Sequence, residues 1–139
     1  MLQRTVETRQ GRIITDVEVS AWNPAEAITF RGLIDTGTQQ SGISRSVIDT
    51  LGNGTAFVPH GFDYVKGIGG RRRRTPFYTL WMGLRFARAD QSITFGGLLK
   101  PFWLMPEVED DFDVLVGMDI IERFAVQINN GVCTLRLRS

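Results

Sequence analysis

The sequence predicts an all-β fold made of short strands with little helix. Residues 12–22 alternate apolar and polar side chains, as a half-buried strand does, and residues 27–34 are rich in β-branched side chains. Near the end of the chain, two apolar runs flank Asn129-Asn130-Gly131, which is typical of a tight hairpin turn. Short strands at this close spacing favour a barrel or a sandwich.

Length and composition limit the organisation of the chain. It has 139 residues, of which 42% are hydrophobic, enough for one ordinary core but hardly for two. We therefore expect a single domain over residues 1–139. The formal net charge of +1 provides no overall field that would attract nucleic acid or an anionic membrane.

The single cysteine and the first residues bear on location. Cys133 has no partner for an internal disulfide, and the N-terminal residues contain no apolar stretch like that of a secretory signal. No apolar cluster approaches the roughly 20 residues that span a bilayer. These features predict a cytoplasmic protein without a membrane passage.

The remaining elements are predicted from the spacing of apolar residues and from residue types that begin or end helices and strands. Ser44 and Gly52 are suitable cap and stop residues for a short helix between them. The other expected elements are strands at 62–65, 76–84, 102–105, 114–116, 125–128 and 132–137, with a helix at 118–124.

The segment Asp35-Thr36-Gly37 follows a predicted strand directly. A carboxylate at the end of a buried strand is costly unless its chemistry is needed there. Gly37 allows another chain or a ligand to approach the backbone closely, because glycine has no Cβ. The Thr36 hydroxyl can both donate and accept a hydrogen bond, and so can brace two such loops against each other.

Three segments together resemble the retropepsin family of aspartic peptidases. Residues 32–38 are similar to its active-site loop, and residues 113–121 to its second signature, in which two apolar residues and a glycine precede the C-terminal helix. Between them, a glycine-rich segment resembles the tip of the substrate-covering flap. The resemblance extends over residues 13–137 and implies a closed acid-protease barrel protomer with a flap hairpin and one short C-terminal helix.

The resemblance also implies a mechanism that needs two chains. Peptide hydrolysis of this kind uses one carboxylate as a base and one carboxylic acid as an acid, and a single Asp cannot be both at once. This chain has one Asp-Thr-Gly, whereas the single-chain pepsin-like enzymes carry two. We therefore expect a homodimer that hydrolyses polypeptides as an endopeptidase, without a cofactor or a metal.

Under this resemblance each matching position has an expected role. Asp35 is the catalytic carboxylate. Thr36, Gly37 and Thr38 support the active site, and Gly117 lets the second signature pack beneath it. The expected substrate-binding residues are Gln39, Gly67, Ile68, Gly69 and Gly70. The last strand, at 133–137, is expected to pair with its two-fold mate.

Several positions depart from the family pattern. Thr38 replaces the usual Ala, and its hydroxyl would favour the ionised carboxylate, so we expect a more acidic optimum than that of a Thr38→Ala variant. Gln39 and Gln40 replace acids that hold substrate in viral members, and the arginine that usually follows the second-signature glycine is missing after Gly117. Asp119 is predicted to be a helix N-cap or first-turn acid.

Other interpretations remain open. The four arginines at 71–74 suit a solvated hairpin arm, a preference for acidic substrates near the flap, or pairing with the acidic loop at 107–111. A triad of Ser41, His60 and Asp49 lacks nucleophile-elbow spacing, and no zinc signature is present. The main alternative function is an inactive retropepsin-like module that dimerises or binds peptides. A small basic-faced barrel that binds RNA or single-stranded DNA is a third.

Overall fold

The computed structural model describes residues 3–9, 12–52, 58–66, 72–87, 92–106 and 111–137. Strands dominate and the helices are short, so the predicted all-β fold class is confirmed. The strands are β1 (Gln3–Arg9), β2 (Arg12–Ser20), β3 (Ile28–Ile34), β4 (Gly42–Ile43), β5 (Gly61–Lys66), β6 (Arg72–Ala87), β7 (Ser92–Leu104), β8 (Val114–Val116), β9 (Phe124–Asn129) and β10 (Val132–Leu137). The helices are α1 (Arg45–Gly52), α2 (Met118–Ile121) and a 3₁₀ turn (Pro24–Glu26).

All ten strands belong to one mixed sheet, in the order β5-β6-β7-β4-β8-β3-β2-β1-β10-β9. The long β6 also pairs with β2 and β1. As a result β6, β7, β4, β8, β3 and β2 form a closed circuit of hydrogen-bonded neighbours. The β3–β8 and β4–β7 pairs are parallel, and the β4–β8 pair is antiparallel.

The core follows the two-residue period of the strands. On β6 the buried side chains include Tyr78, Leu80, Met82 and Leu84, every second residue. Other members of the same cluster come from β2, β3, β8, α2 and β10, including Val17, Ile34, Val116, Ile120 and Leu135. Each large apolar side chain buried in this way stabilises the fold by roughly 1.5–3 kcal/mol.

The two helices lie at the predicted positions. Helix α1 begins at Arg45 and ends at Gly52, where the sequence placed its stop. Helix α2 ends at Ile121 and is shorter than predicted, because Phe124 is buried at the start of β9. Among the described residues, no helix is long and apolar enough to cross a bilayer.

Two strands were missed by sequence analysis. The segment Gln3–Arg9 contains a single apolar residue and shows no alternation, yet it forms β1 and pairs with β10, β2 and β6. Strand β4 has only two residues, too few for a period to be visible. Both strands are specified by their neighbours in the sheet.

The position of β10 bears on one expectation, that the last strand pairs with a second copy. Within the protomer both edges of β10 are occupied. Cys133, for example, lies opposite Val6 of β1 on one side and Ile128 of β9 on the other. Pairing with a second copy stays a prediction, and a deletion from residue 132 onward would remove an interior strand of the sheet.

The region in which a flap was expected is described only in its two flanking strands. Strands β5 and β6 pair from Gly61 opposite Phe77 to Lys66 opposite Arg72. The predicted tip, formed by Gly67, Ile68, Gly69 and Gly70, lies outside the described residues, as does Arg71.

Candidate active site

Asp35 lies directly after β3, where the sequence predicted it. Strand β3 pairs in parallel with β8, with Ile34 opposite Val116. The backbone N–H of Asp35 continues this pairing and donates to the Val116 carbonyl at 2.9 Å. The second signature therefore fixes the point at which the chain leaves the sheet and presents the Asp35 side chain.

Two donors from the same loop hold the Asp35 carboxylate. The Gly37 N–H donates to Oδ1 at 2.8 Å, and the Thr38 hydroxyl donates to Oδ2 at 3.0 Å. A Cβ at Gly37 would lie 3.2 Å from the same Oδ1, so glycine leaves room for this short contact. Hydrogen bonds to a carboxylate are stronger than those between neutral groups, and these two favour one orientation of the side chain.

Two further predicted site residues lie in this loop with exposed side chains. Thr36 and Gln39 are both accessible in the protomer. The backbone carbonyl of Gln39 accepts a hydrogen bond from Asp119 N–H at 3.1 Å, which anchors its main chain. Their proposed side-chain roles, bracing the second loop and contacting substrate, remain predictions.

The second signature packs beneath the Asp35 loop, as the resemblance implied for Gly117. The Met118 N–H donates to the Thr38 carbonyl at 2.7 Å. A Cβ at Gly117 would lie 2.9 Å from both the Thr38 carbonyl oxygen and the Gln40 carbonyl carbon. Because backbone atoms cannot move aside easily, only glycine permits this contact.

A partly buried polar cluster, which sequence analysis did not find, ties the loop to α2. Asp119 accepts hydrogen bonds from the Ser41 hydroxyl at 2.7 Å and the Ser41 N–H at 3.0 Å. The Ser41 hydroxyl in turn accepts from the Gly117 N–H at 2.9 Å. Lys100 of β7 forms an ion pair with the same Asp119 carboxylate, and the two side chains are 15% and 21% exposed.

This cluster clarifies two earlier expectations. Asp119 stands in the first turn of α2, whose N-cap is Gly117, so the prediction of a first-turn acid is confirmed. The viral-type ion pair is missing at its usual positions, but an acid and a base do pair here, through Lys100 and Asp119. The one sequence signal for it was a lysine between the apolar pair Leu98-Leu99 and the predicted strand at 102–105.

A second set of hydrogen bonds joins Ser44, just before α1, to Asp113, just before β8. The Ser44 hydroxyl donates to Asp113 Oδ1 at 3.0 Å, and the Ser44 N–H donates to the Asp113 carbonyl at 2.9 Å. The Asp113 N–H donates to the Arg31 carbonyl of β3 at 2.9 Å. The segment 35–44 is thus held at both ends. Asp35 is bonded to Val116 of β8, and Ser44 is bonded to Asp113, the residue before β8. Between these ends, the segment is bonded to α2.

The alternative serine triad is excluded by these contacts. The Ser41 hydroxyl is buried and committed to Asp119, while His60 Nδ1 accepts from the Thr79 N–H at 2.9 Å. Asp49 is exposed on α1. Within the described ranges, no three His, Cys, Asp or Glu side chains lie together where they could hold a metal ion.

Comparison with known proteins supports the fold. Neither a protein-family model nor a curated protein sequence matches the chain. Among solved structures, a retropepsin-like aspartic protease from Rickettsia conorii is similar, with a TM-score of 0.60 and 15% sequence identity over 96% of this chain and 89% of that chain. The fold of this chain is therefore a retropepsin-like aspartic protease fold.

Proposed function

We propose that the chain is one protomer of a homodimeric aspartic endopeptidase in which the Asp35 residues of two copies form the catalytic pair. The observation that carries this proposal is the Asp35 carboxylate itself. It stands at the end of a core strand, oriented by the Gly37 N–H and the Thr38 hydroxyl. The similar fold of a retropepsin-like aspartic protease supports it.

The chemistry requires two carboxyl groups that share one proton. Repulsion between two close carboxylates keeps one of them protonated while the other is ionised. The ionised group takes a proton from water as the water oxygen attacks the peptide carbon, and the protonated group donates to the carbonyl oxygen. A proton then passes to the amide nitrogen, and the C–N bond breaks.

The other residues have supporting roles in this proposal. Gly37 and Thr38 fix the orientation of each carboxylate, and Thr36 of each copy braces the two loops. Gln39 and the flap residues Gly67, Ile68, Gly69 and Gly70 contact the polypeptide substrate. The reaction needs no metal and no cofactor, because both proton transfers use carboxyl groups.

An inactive peptide-binding module is the second candidate. The observation that favours it is the neutral surface beside Asp35, where exposed Gln39 and Gln40 stand in place of acids that hold substrate backbone in viral retropepsins. Such a module would keep its affinity for peptides and release them unchanged.

Cleavage of a mixed peptide library separates these candidates. The wild type, Asp35→Asn and Asp49→Asn are compared from about pH 4 to 7, the range over which carboxyl and imidazole groups titrate. Asp49→Asn makes the same chemical change at an exposed carboxylate of α1. We expect cleavage by the wild type and Asp49→Asn and none by Asp35→Asn; cleavage by all three would contradict the proposal.

A further inference from the structure

The β5–β6 hairpin carries a cationic and aromatic face that the proposed reaction does not use. Its members, here called the arginine–aromatic face, are Phe62, Tyr64, Arg72 and Arg74. Both aromatic side chains are well exposed, Phe62 by 48% and Tyr64 by 64%. The arginines are exposed as well. Large aromatic side chains held in solvent beside cations are typical of binding surfaces.

The strand register assigns these four residues to one face. Tyr64 lies directly opposite Arg74, and residues two positions apart on a strand share a face. The Arg74 guanidinium carbon lies 4.0 Å from the centre of the Phe62 ring, which is the diagonal contact expected on that face. Arg73 lies opposite Val65 and therefore belongs to the other face.

The alternation along β6 indicates which side of the sheet this face occupies. Continuing in steps of two from Arg72 and Arg74 leads to Tyr78, Leu80 and Met82, all buried in the core. The arginine–aromatic face is therefore continuous with the core side of the sheet.

Among the side chains that the structure describes, Arg72, Arg73 and Arg74 form no ion pair, so no described acid neutralises the charges of the face. A guanidinium stacked on an aromatic ring keeps its edge free to bind a carboxylate through two parallel hydrogen bonds. A nearly neutral chain with one basic cluster offers few phosphate contacts, so an acidic peptide suits this face better than a nucleic acid.

We propose that the arginine–aromatic face binds acidic peptide segments and so gives the enzyme a preference for substrates with Glu or Asp beside apolar residues. Arg74 and Arg72 bind the side-chain carboxylates, and Phe62 and Tyr64 contact the apolar side chains between them. The preference in cleavage rests on the proposed peptidase function, whereas the preference in binding does not.

Binding is measured on the Asp35→Asn protein by fluorescence anisotropy, so that no peptide is consumed. The probes are a labelled peptide with alternating Glu and apolar residues, the same peptide with Gln in place of Glu, and a single-stranded RNA of equal net charge. We expect the Glu peptide to bind roughly tenfold more tightly than the Gln peptide, as charge-assisted hydrogen bonds suggest. We expect the RNA to bind more weakly than the Glu peptide.

Two adjacent arginines supply the variant and its control. Arg74→Gln should remove most of the preference for Glu, while Arg73→Gln makes the same change of charge on the opposite face and should leave the preference intact. Arg74→Lys, which keeps the charge but not the paired hydrogen bonds, should be intermediate. Equal binding of both peptides, binding of neither, tighter binding of RNA, or equal losses in Arg73→Gln and Arg74→Gln would each overturn the inference.

Turnover by the wild type separates this inference from the proposed function. Cleavage of both peptides with equal kcat/KM would overturn the substrate preference and leave the peptidase standing. A tenfold preference in binding without any cleavage would support the acidic-peptide surface and refute the peptidase.

Discussion

The Thr38 hydroxyl is the side-chain donor that distinguishes this Asp35 loop from the usual family pattern. Its hydrogen bond to Asp35 Oδ2, at 3.0 Å, is present in the protomer before any second copy or substrate is added. A hydrogen bond to a carboxylate is strong and favours one orientation of the side chain. We therefore expect Thr38 to help position the Asp35 carboxylate.

Thr38→Ala should lower the peptidase activity. Without this donor, the Gly37 N–H alone holds the Asp35 carboxylate, which is then less well oriented, so kcat/KM should fall. Thr38→Ser is the control, because it keeps the hydroxyl and should keep the wild-type kcat/KM. Equal kcat/KM values for Thr38→Ala and Thr38→Ser would contradict this role.

Cys133 is a second residue whose environment makes a prediction. It is fully buried in β10, and desolvation raises the pKa of its thiol. The folded protein disfavours the thiolate, so stability should be greatest below the ordinary thiol pKa of about 8.5 and should decline as the pH rises above it. A disulfide reagent at about pH 8 should react with the unfolded chain and spare the folded protein; rapid reaction before unfolding would contradict the burial.

At the scale of elements, the main feature is the junction between the Asp35 loop and α2. Helix α2 has only four residues, so little of its stability comes from its own hydrogen bonds. Asp119, Ser41 and Lys100 connect it to the loop and to β7. The junction therefore stabilises both the short helix and the geometry of the Asp35 loop.

Asp119→Ala should destabilise the protein and lower its activity. The substitution leaves the Ser41 hydroxyl and N–H without their acceptor and leaves Lys100 partly buried without its counterion, for which we expect a loss of about 2 kcal/mol in the free energy of unfolding. Denaturant titration measures this loss. Glu122→Ala, an exposed acid at the end of the same helix, should lose less than about 0.5 kcal/mol. Equal effects of the two substitutions would contradict the role of the junction.

The features of the fold and the site that could be predicted from sequence are those determined by a few neighbouring residues. Asp35 after a β-branched run, and Asn130-Gly131 between apolar runs, each carry their signal within a few residues. The turn indeed places both residues at positive φ, 50° and 76°. Lys100 could not be assigned to Asp119, because the two residues are 19 positions apart and only the packing of β7 against the loop brings them together.

At the scale of the whole molecule, the order of strands limits how two copies can meet. The interior places of β1 and β10 in the sheet leave β5 and β9 as its end strands. Ile128 of β9 is 56% exposed and lies on one of these ends. The proposed reaction makes the stronger demand, because it uses two carboxyl groups and one protomer supplies a single Asp35.

Subunit mixing between wild type and Asp35→Asn, at constant total protein concentration, tests most directly whether two copies of Asp35 share one site. If two copies of Asp35 share one site, mixed dimers are inactive, and an equilibrated equal mixture should retain about one quarter of the wild-type peptidase activity. If each chain works independently, the same mixture retains about one half. A site shared by two copies predicts dependence on the square of the wild-type fraction, and a linear dependence would contradict such a site.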